Sequence, residues 1–565
     1  MKRSGKNARQ GALSTRLGQV TQGALRQWAY RTGARRNPWL ALLVQCSISI
    51  LIPAMPAAAG DGQLSAAPVA EEISRLKAQL ERQQGQIEEL QKALQQQQRT
   101  IQALEASPAA VAKQATAAPS NPPPEAKTGA PPLSLRIGNT SFTPIGFTDF
   151  AVVLRDKNVG SGLGTNFAAI PFDNTVNGNL RDYRLSAQNS RLGFRVDSKL
   201  EHVNLLGYVE ADFLGFVPGN AAVTANSNSL RMRLFWVDLR RGKWEMLAGQ
   251  SWSLLTPNRR GVSALPADLF LTQDVDPNIQ VGLTWSRSPQ VRFTYHASDT
   301  VKAAVSWEAA EQYGGGSGGS GAITLPSALE SSYANQINTG NSGFSVTNPN
   351  QDILAKLAWD PLLAGRSAHF EVAAVLRRFA FYNPLTNQSF KTTGGGVSAN
   401  AGVEVAKGLR LFFNQYFSKG GGRYLFGQGP DLIIRSDGSP SLVPAISTVD
   451  GLEFQITPRT ILFGYYGAAY FGRKADIDPA TGNSIGYGYE GSPSGHNRSL
   501  QQVSAGFGHT LWRNPSYGAL QFSGQYAWLI RHPWYVAPQQ LPSADLNMVY
   551  LNLRYTLPGA PPTME

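Results

Sequence analysis

The sequence predicts an all-β fold, a 16-stranded antiparallel transmembrane β-barrel, preceded by an N-terminal α-helical coiled coil. Three observations carry that expectation: an export-type N-terminus, a sustained heptad seam, and a long succession of polarity-alternating segments after residue 133. Each of those segments is about ten residues long and is bounded by Gly, Pro, Asn or Asp, the repetitive signature of strands with one apolar and one polar face.

Composition narrows the class first. Charged residues make up 16% of the 565, against the usual quarter, while Gly (57), Phe (25), Tyr (19) and Trp (11) are plentiful, which favours β-structure with many turns. Mean hydropathy is −0.22, and no run after the N-terminus reaches the roughly 18 to 20 apolar residues that a membrane helix needs. A helical membrane protein is therefore excluded.

The formal charge of +13 is unevenly placed. Residues 1–59 hold nine Lys or Arg and no acid, so taking nine from thirteen leaves only +4 for the remainder. The basic arm reads as a targeting feature, and nucleic acid is not an expected partner. After it come the apolar stretch Pro38 to Ile52, then Pro53 and Ala57-Ala58-Ala59, so residues 1–59 are expected to be a secretory signal peptide with a long front. The single cysteine, Cys46, lies inside the apolar stretch behind Gln45, which is too large for a lipidation site. Cleavage near Ala59 leaves a mature chain with no thiol, which excludes disulfides, thiolate metal sites and cysteine nucleophiles together.

Residues 60–106 are expected to form a periplasmic coiled coil. Between 71 and 105 apolar residues recur at alternating steps of three and four, with Ile73, Leu80, Ile87, Leu94 and Ile101 at position a and Leu76, Gln83, Leu90, Gln97 and Leu104 at position d. Gln83 and Gln97 weaken an apolar seam, and their use there is to fix register and strand number. The heptads leave dimer and trimer open. Residues 107–133, rich in Ala and Pro with Pro122-Pro123-Pro124 and Pro131-Pro132, read as a semi-rigid linker.

Residues 134–557 carry the barrel, followed by a tail of 558–565. The last segment shows the pattern best: Val549, Leu551, Leu553, Tyr555 and Leu557 fall on one face, and Tyr550, Asn552, Arg554 and Thr556 on the other. Seventeen segments can be read, among them Val281 to Ser286 and Gly451 to Ile456. Because single-chain bacterial barrels have even strand counts, sixteen is expected, with the short Gly451 segment the first to be removed. Tyr295, Trp307, Trp359, Tyr470, Trp528 and Tyr555 sit at segment ends, as interfacial girdles require, which separates a barrel from a secreted sandwich or adhesin-like surface protein that conducts nothing. Five irregular stretches, 157–182, 257–279, 311–351, 420–448 and 474–496, are expected as long loops at one end. Within 314–321 Ser317 sits in a literal G-x-S-x-G, but no strand precedes it and no helix follows, so the run reads as a flexible Gly-rich loop rather than a hydrolase elbow. The six histidines are dispersed without zinc spacing, so no enzyme activity, metal or cofactor is expected.

From residue 134 onward there are 26 Arg and 9 Lys against 30 acids. A guanidinium grips a carboxylate through two parallel bonds where an ammonium offers a point charge, so the bias suits a lumen handling carboxylates. Pleat parity turns Arg191, Arg195, Arg292 and Arg554 inward. Arg231 and Arg233 share that side, although Phe235 and Val237 carry the same parity, which points to a bulge in their strand. The inward arginines form either a basic ladder for anions or a wall balanced by acids such as Glu210, Asp212 and Asp238. The expected function is passive diffusion of small anionic solutes across the outer membrane of a Gram-negative bacterium, with outer-membrane lipids as surroundings.

The stretches Ser190 to Arg195, Gly207 to Phe213 and Gly249 to Ser253, the Gly420 to Leu425 turn, and Asn497-Arg498 before Leu500 to Gln502 resemble the DcaP-like porin family, as does the helical extension. That resemblance implies a homotrimer of 16-stranded barrels taking up dicarboxylates and related aromatic acids, with Arg191, Arg195, Arg231, Arg233 and Arg423 in the pore wall. The chain departs from the usual aromatic ending, since Leu557 is followed by Pro558 to Glu565.

Overall fold

A computed structural model describes residues 133–215, 229–263, 271, 280–340 and 346–558. The expected signal peptide, the heptads from Ile73 to Leu104 and the linker up to residue 132 lie outside the described residues.

Sixteen antiparallel strands close into one barrel. In chain order they are β1 (Thr140–Arg155), β2 (Arg191–Leu200), β3 (Val203–Asp212), β4 (Arg231–Arg241), β5 (Trp244–Trp252), β6 (Arg287–His296), β7 (Val301–Glu308) and β8 (Asp352–Trp359). They continue with β9 (Arg366–Asn383), β10 (Gln388–Ala406), β11 (Leu409–Lys419), β12 (Pro444–Thr457), β13 (Thr460–Phe471), β14 (Asn497–Asn514), β15 (Gly518–Pro533) and β16 (Ala544–Thr556). Each pairs with its sequence neighbours, and β16 returns to β1 in the register Phe147↔Thr556 to Arg155↔Met548, so no edge remains. A short strand, Asp182–Ser186, extends the β2 position by pairing with Ala151 to Arg155.

The alternation in the sequence is realised as inside and outside. Along β16, Tyr550, Asn552 and Arg554 are buried in the lumen, while Leu553 and Tyr555 are exposed on the outer wall. On β8, Leu357 and Trp359 face out and Leu354, Lys356 and Ala358 face in. The outer wall is thus apolar, with Trp244, Trp359, Trp512 and Tyr555 near one rim and Trp307 and Tyr470 near the other.

Two strand expectations are corrected. Gly451 to Ile456 belongs to a full strand, β12, paired along its length with β11 and β13. The segment without a barrel position is Val281 to Ser286. Its alternation is real, but Val281, Leu283 and Trp285 are all buried inside the lumen, in the hydrophobic core, as the end of a loop that has folded inward. Alternation reports two different surroundings, and a loop with the wall on one side mimics a strand.

Short connections of two to six residues lie at one rim (201–202, 242–243, 297–300, 360–365, 407–408, 458–459, 515–517). At the other rim are long loops, 156–190, 213–230, 253–286, 309–351, 420–443, 472–496 and 534–543, and one tight turn, 384–387. Four of the five predicted stretches fall within these connections, and the fifth, 420–448, runs on into β12 from Pro444. Gly314 to Gly321 is packed rather than loose: a Cβ on Gly316 would stand 1.9 Å from the Thr339 carbonyl oxygen, and one on Gly319 2.5 Å from the Ala169 Cβ.

The closing seam carries a buried ion pair. The Arg554 guanidinium of β16 donates to Asp149 of β1 at 2.7 Å, with Asn552 donating to the same carboxylate. Asp149→Ala should lower barrel stability by about 3 kcal/mol, because it removes the carboxylate facing a buried guanidinium. Asp149→Asn should cost less. Urea titration of refolded protein in detergent checks both, and an unchanged midpoint for the alanine variant would show that the pair does not secure the seam.

Candidate functional site

The lumen is divided by the described parts of the loop after β5, residues 253–263 and 280–286, which touch both sides of the wall. On the near side Leu254 N donates to Glu308 of β7 at 2.7 Å, and the Lys356 ammonium of β8 donates to the Thr256 carbonyl at 2.8 Å. Asn400 of β10 holds the Asn258 carbonyl. On the far side Arg259 makes a two-bond contact with Glu453 of β12, and Val281 N donates to Gln502 of β14 at 3.0 Å. Small residues permit the approach. A Cβ on Gly467 of β13 would lie 1.9 Å from the Val281 carbonyl oxygen, and Gly282, at φ +90°, lies against the Thr448 and Ala468 carbonyls.

Three spaces that share lining residues lie along the lumen. Toward the short-turn rim lies a vestibule of about 1000 Å³, lined by Arg195, Lys199, Arg240, Arg259, Arg260, Lys302 and Arg410 against Asp197, Asp238, Glu245 and Asp360. Toward the long-loop rim lies one of about 580 Å³ that includes Arg287, Glu311, Trp285 and Arg423. Between them, sharing Asn258, Arg259 and Ser263 with the first and Trp285 with the second, is a gap of about 20 Å³, room for little more than one water. Trp252 and Trp285 form its aromatic side, with centroids 4.3 Å apart, and Arg259 and Arg292 its cationic side.

Each arginine singled out in the sequence faces the interior, and most meet a carboxylate. Arg233 bonds to Glu210 and Asp212, at 2.7 Å each. Arg231 bonds to Asp212 at 2.6 Å, and Arg191 lies 3.7 Å from Glu210. Arg195 pairs with Asp197. Arg423, in the loop after β11, pairs with Asp352, which also accepts from Arg377 and Tyr424. Arg292 donates to Gln290 and to the Trp252 carbonyl. The geometry here is a wall of paired charges rather than a bare ladder. The bulge lies at Arg233: Ala211 pairs Met232 and Glu210 pairs Leu234, so Arg233 is the extra residue and parity flips below it, turning Trp236 and Asp238 inward.

Arg259, Arg260, Lys302 and Arg410 were not singled out from the sequence. Arg259 and Arg260 sit in the inward loop, where no pleat indicates direction. The other two are single cations at strand ends, and only the closed barrel brings them together.

No protein-family model matches the chain, and no curated protein does. Among solved structures, the outer membrane channel DcaP of Acinetobacter baumannii superposes with a TM-score of 0.52 at 18% identity, over 74% of this chain and 98% of that one. The chain has the DcaP barrel fold. More distant are the anion-selective porin from Comamonas acidovorans (TM-score 0.43, 12% identity, 74% and 100% coverage) and OprB of Pseudomonas putida (0.41, 12%, 73% and 94%). The DcaP-like resemblance read in the sequence is thus matched at the level of fold.

At the long-loop rim of this DcaP-like barrel, loops pack on one another around His496. Its Nε2–H donates to the Ala322 carbonyl at 2.8 Å, and its Nδ1 accepts from Gly488 N at 3.1 Å, which defines the neutral tautomer. Tyr487 stacks on the ring and Tyr489 meets it edge-on. Burial holds the imidazole below its ordinary value, with the bond to Ala322 opposing only in part. A histidine depressed in the fold lends stability that is fully present above its unfolded value and is lost as pH falls below it. Hydrogen-exchange protection of residues 314–323, taken relative to the intrinsic exchange rate at each pH, should therefore fall between pH 7.5 and pH 5.5. His496→Phe should remove that pH dependence; a variant that keeps it would place the sensitive group elsewhere.

Proposed function

We propose that the chain is an outer-membrane porin through which small anionic solutes, dicarboxylates or aromatic carboxylates, diffuse passively into the periplasm. The observation that carries this reading is a closed 16-stranded wall, apolar outside and charged inside, around a vestibule with seven cations against four carboxylates. Arg260, Lys302 and Arg410 form no close ion pair among the described residues, with Asp360 near Lys302 and Glu404 and Glu453 near Arg410 acting only at longer range, so these three supply much of the net positive potential. The paired arginines Arg191, Arg195, Arg231, Arg233, Arg423 and Arg554 hold the wall's shape and, with Glu210 and Asp212, form its polar lining. Arg292 and Arg259 flank the neck between the two spaces. A ring of cations at a narrow, partly desolvated passage lowers the barrier for anions and raises it for cations.

In the same reading residues 1–59 direct export and are removed, and residues 60–106 form a periplasmic stalk that joins three copies. Short turns face the periplasm and long loops the outside, the usual arrangement in such barrels.

Single-channel recording in planar bilayers under a salt gradient tests the function. Anion preference is the expected sign of the reversal potential. Arg260→Ala, Lys302→Ala and Arg410→Ala together should lower the anion-to-cation permeability ratio several-fold. Absence of conductance would overturn the porin reading, and cation preference would overturn the selectivity assigned to the vestibule.

A further inference from the structure

Near the tight turn 384–387, three cations stand on the outer faces of β9, β10 and β11. On β9, Arg377 and Phe379 are buried in the lumen and Arg378 between them is exposed. The register sets Arg378 opposite Thr393 of β10 and Lys419 of β11 opposite Gly395, while Lys391 lies two residues beyond Thr393. Lys391, Thr393 and Lys419 are exposed as well. The three cations therefore surround Thr393, each within about 8 Å of it between Cα atoms, a span that long side chains close. None of them forms an ion pair among the described residues.

The strand pairs give the depth of this cluster. From Trp359 of β8, beside a short turn, one row across the sheet passes through Phe370 on β9, Ala401 on β10 and Phe413 on β11. It continues to Asn547 on β16, beside a long loop. All strands of a barrel tilt in one sense, so with a tilt of about 40° the row climbs about 3 Å per strand, and each strand about 2.5 Å per residue. Arg378 is one strand and eight residues up from Trp359, and Lys419 three strands and six residues up. Both lie about 23 to 24 Å above Trp359, at the top of an apolar band that is about 25 Å tall in such barrels. Lys391, ten residues up from Ala401, stands just beyond that boundary. Below the cluster, Val372 and Leu376 on β9, Val397 on β10 and Phe413 and Phe417 on β11 are apolar side chains exposed on the same faces.

Cations at the edge of hydrocarbon keep their stems on apolar surface and turn their charged ends to the headgroup layer. Phosphate oxygens accept from a guanidinium fork and from ammonium groups together, and the phosphates held at this depth are those of lipids. We propose that the outer face of β9 to β11 at the long-loop rim binds a phosphorylated glycolipid of the outer leaflet, with its phosphates on Arg378, Lys391 and Lys419, its sugar beside Thr393 and its acyl chains along Leu376, Val397 and Phe417. Cations spread over three strands, about 10 Å, suit a headgroup bearing two phosphates. The inference rests on the outer-membrane reading above, with the long loops outward.

The test measures binding of bis-phosphorylated lipid A to the full-length protein in detergent by native mass spectrometry. Replacing the cluster by Arg378→Gln, Lys391→Gln and Lys419→Gln together should weaken binding at least tenfold, whereas Arg378→Lys, Lys391→Arg and Lys419→Arg together should keep it. Lys407→Gln, Arg459→Gln and Arg513→Gln, three exposed cations at the short-turn rim, should leave it unchanged. Lipid A without its phosphates should bind as weakly to the parent as lipid A does to the first variant. Full binding by the first variant overturns the site, as does equal loss in the short-turn variant, which would mean attraction by net charge alone. Displacement of lipid A by millimolar inorganic phosphate overturns the lipid assignment in favour of a free-phosphate site. Flotation with liposomes tests the membrane reading separately: a parent protein that stays in the aqueous fraction overturns that reading, and one that floats but binds lipid A equally after the first substitution overturns the site alone.

Discussion

Closure of the hydrogen-bonded ladder is the constraint on which everything else in this molecule depends. A strand edge cannot be left without partners where water is absent, so the return of β16 to β1 is what allows the wall to exist in hydrocarbon. Once the ladder closes, side-chain parity is fixed all the way round, and each residue is committed to the lumen or to the outside. The Arg554–Asp149 pair then lies on the seam with both groups sealed inside, where a charge needs a partner. The bulge at Arg233 is the local exception. By adding one residue it brings a guanidinium between Glu210 and Asp212 and lets the rest of β4 resume its alternation.

The same closure explains the inverted distribution of apolar side chains. The exterior is covered by Leu, Val, Phe and aromatic rims, while a second apolar cluster forms inside, where the long loops pack on the wall near their own rim. Charges occupy the remaining interior, mostly in opposite pairs, and the surplus of cations gathers in the vestibule near the short turns. A passage built this way separates two tasks: closely paired charges set its shape, and the surplus of cations sets its potential.

Much of this was legible in the sequence because a barrel writes its geometry locally. The alternating segments, the parity of the arginines and the bulge all follow from a period of two, and each can be read from neighbours within one segment, whereas the count of sixteen came from the even-number rule. Val281 to Ser286 was misread because a loop lying along the wall is also two-sided. Gly451 to Ile456 was undervalued because the glycine and the outward Asp450 interrupt its apolar face. Pairing with β11 and β13, a non-local fact, restores the strand. The Gly-rich run around Ser317 was read as loose, yet its glycines admit neighbouring backbone at contact distance. The vestibule cations Arg260, Lys302 and Arg410 come from three distant parts of the chain, and no spacing rule connects them. The heptads from Ile73 to Leu104 lie outside the described residues.

The inward segment 253–263 has a mechanical consequence. It is fastened to Glu308, Lys356 and Asn400 on one side and to Glu453 on the other, with Val281 held to Gln502 beside it. A thin-walled tube is easily squeezed into an oval, and a crossbar tied to both walls resists that deformation. Lateral pressure in a crowded bilayer would have to break charge-assisted bonds at both ends of the bar before the bore could change shape, so the aperture is set by the strut rather than by the flexibility of the wall.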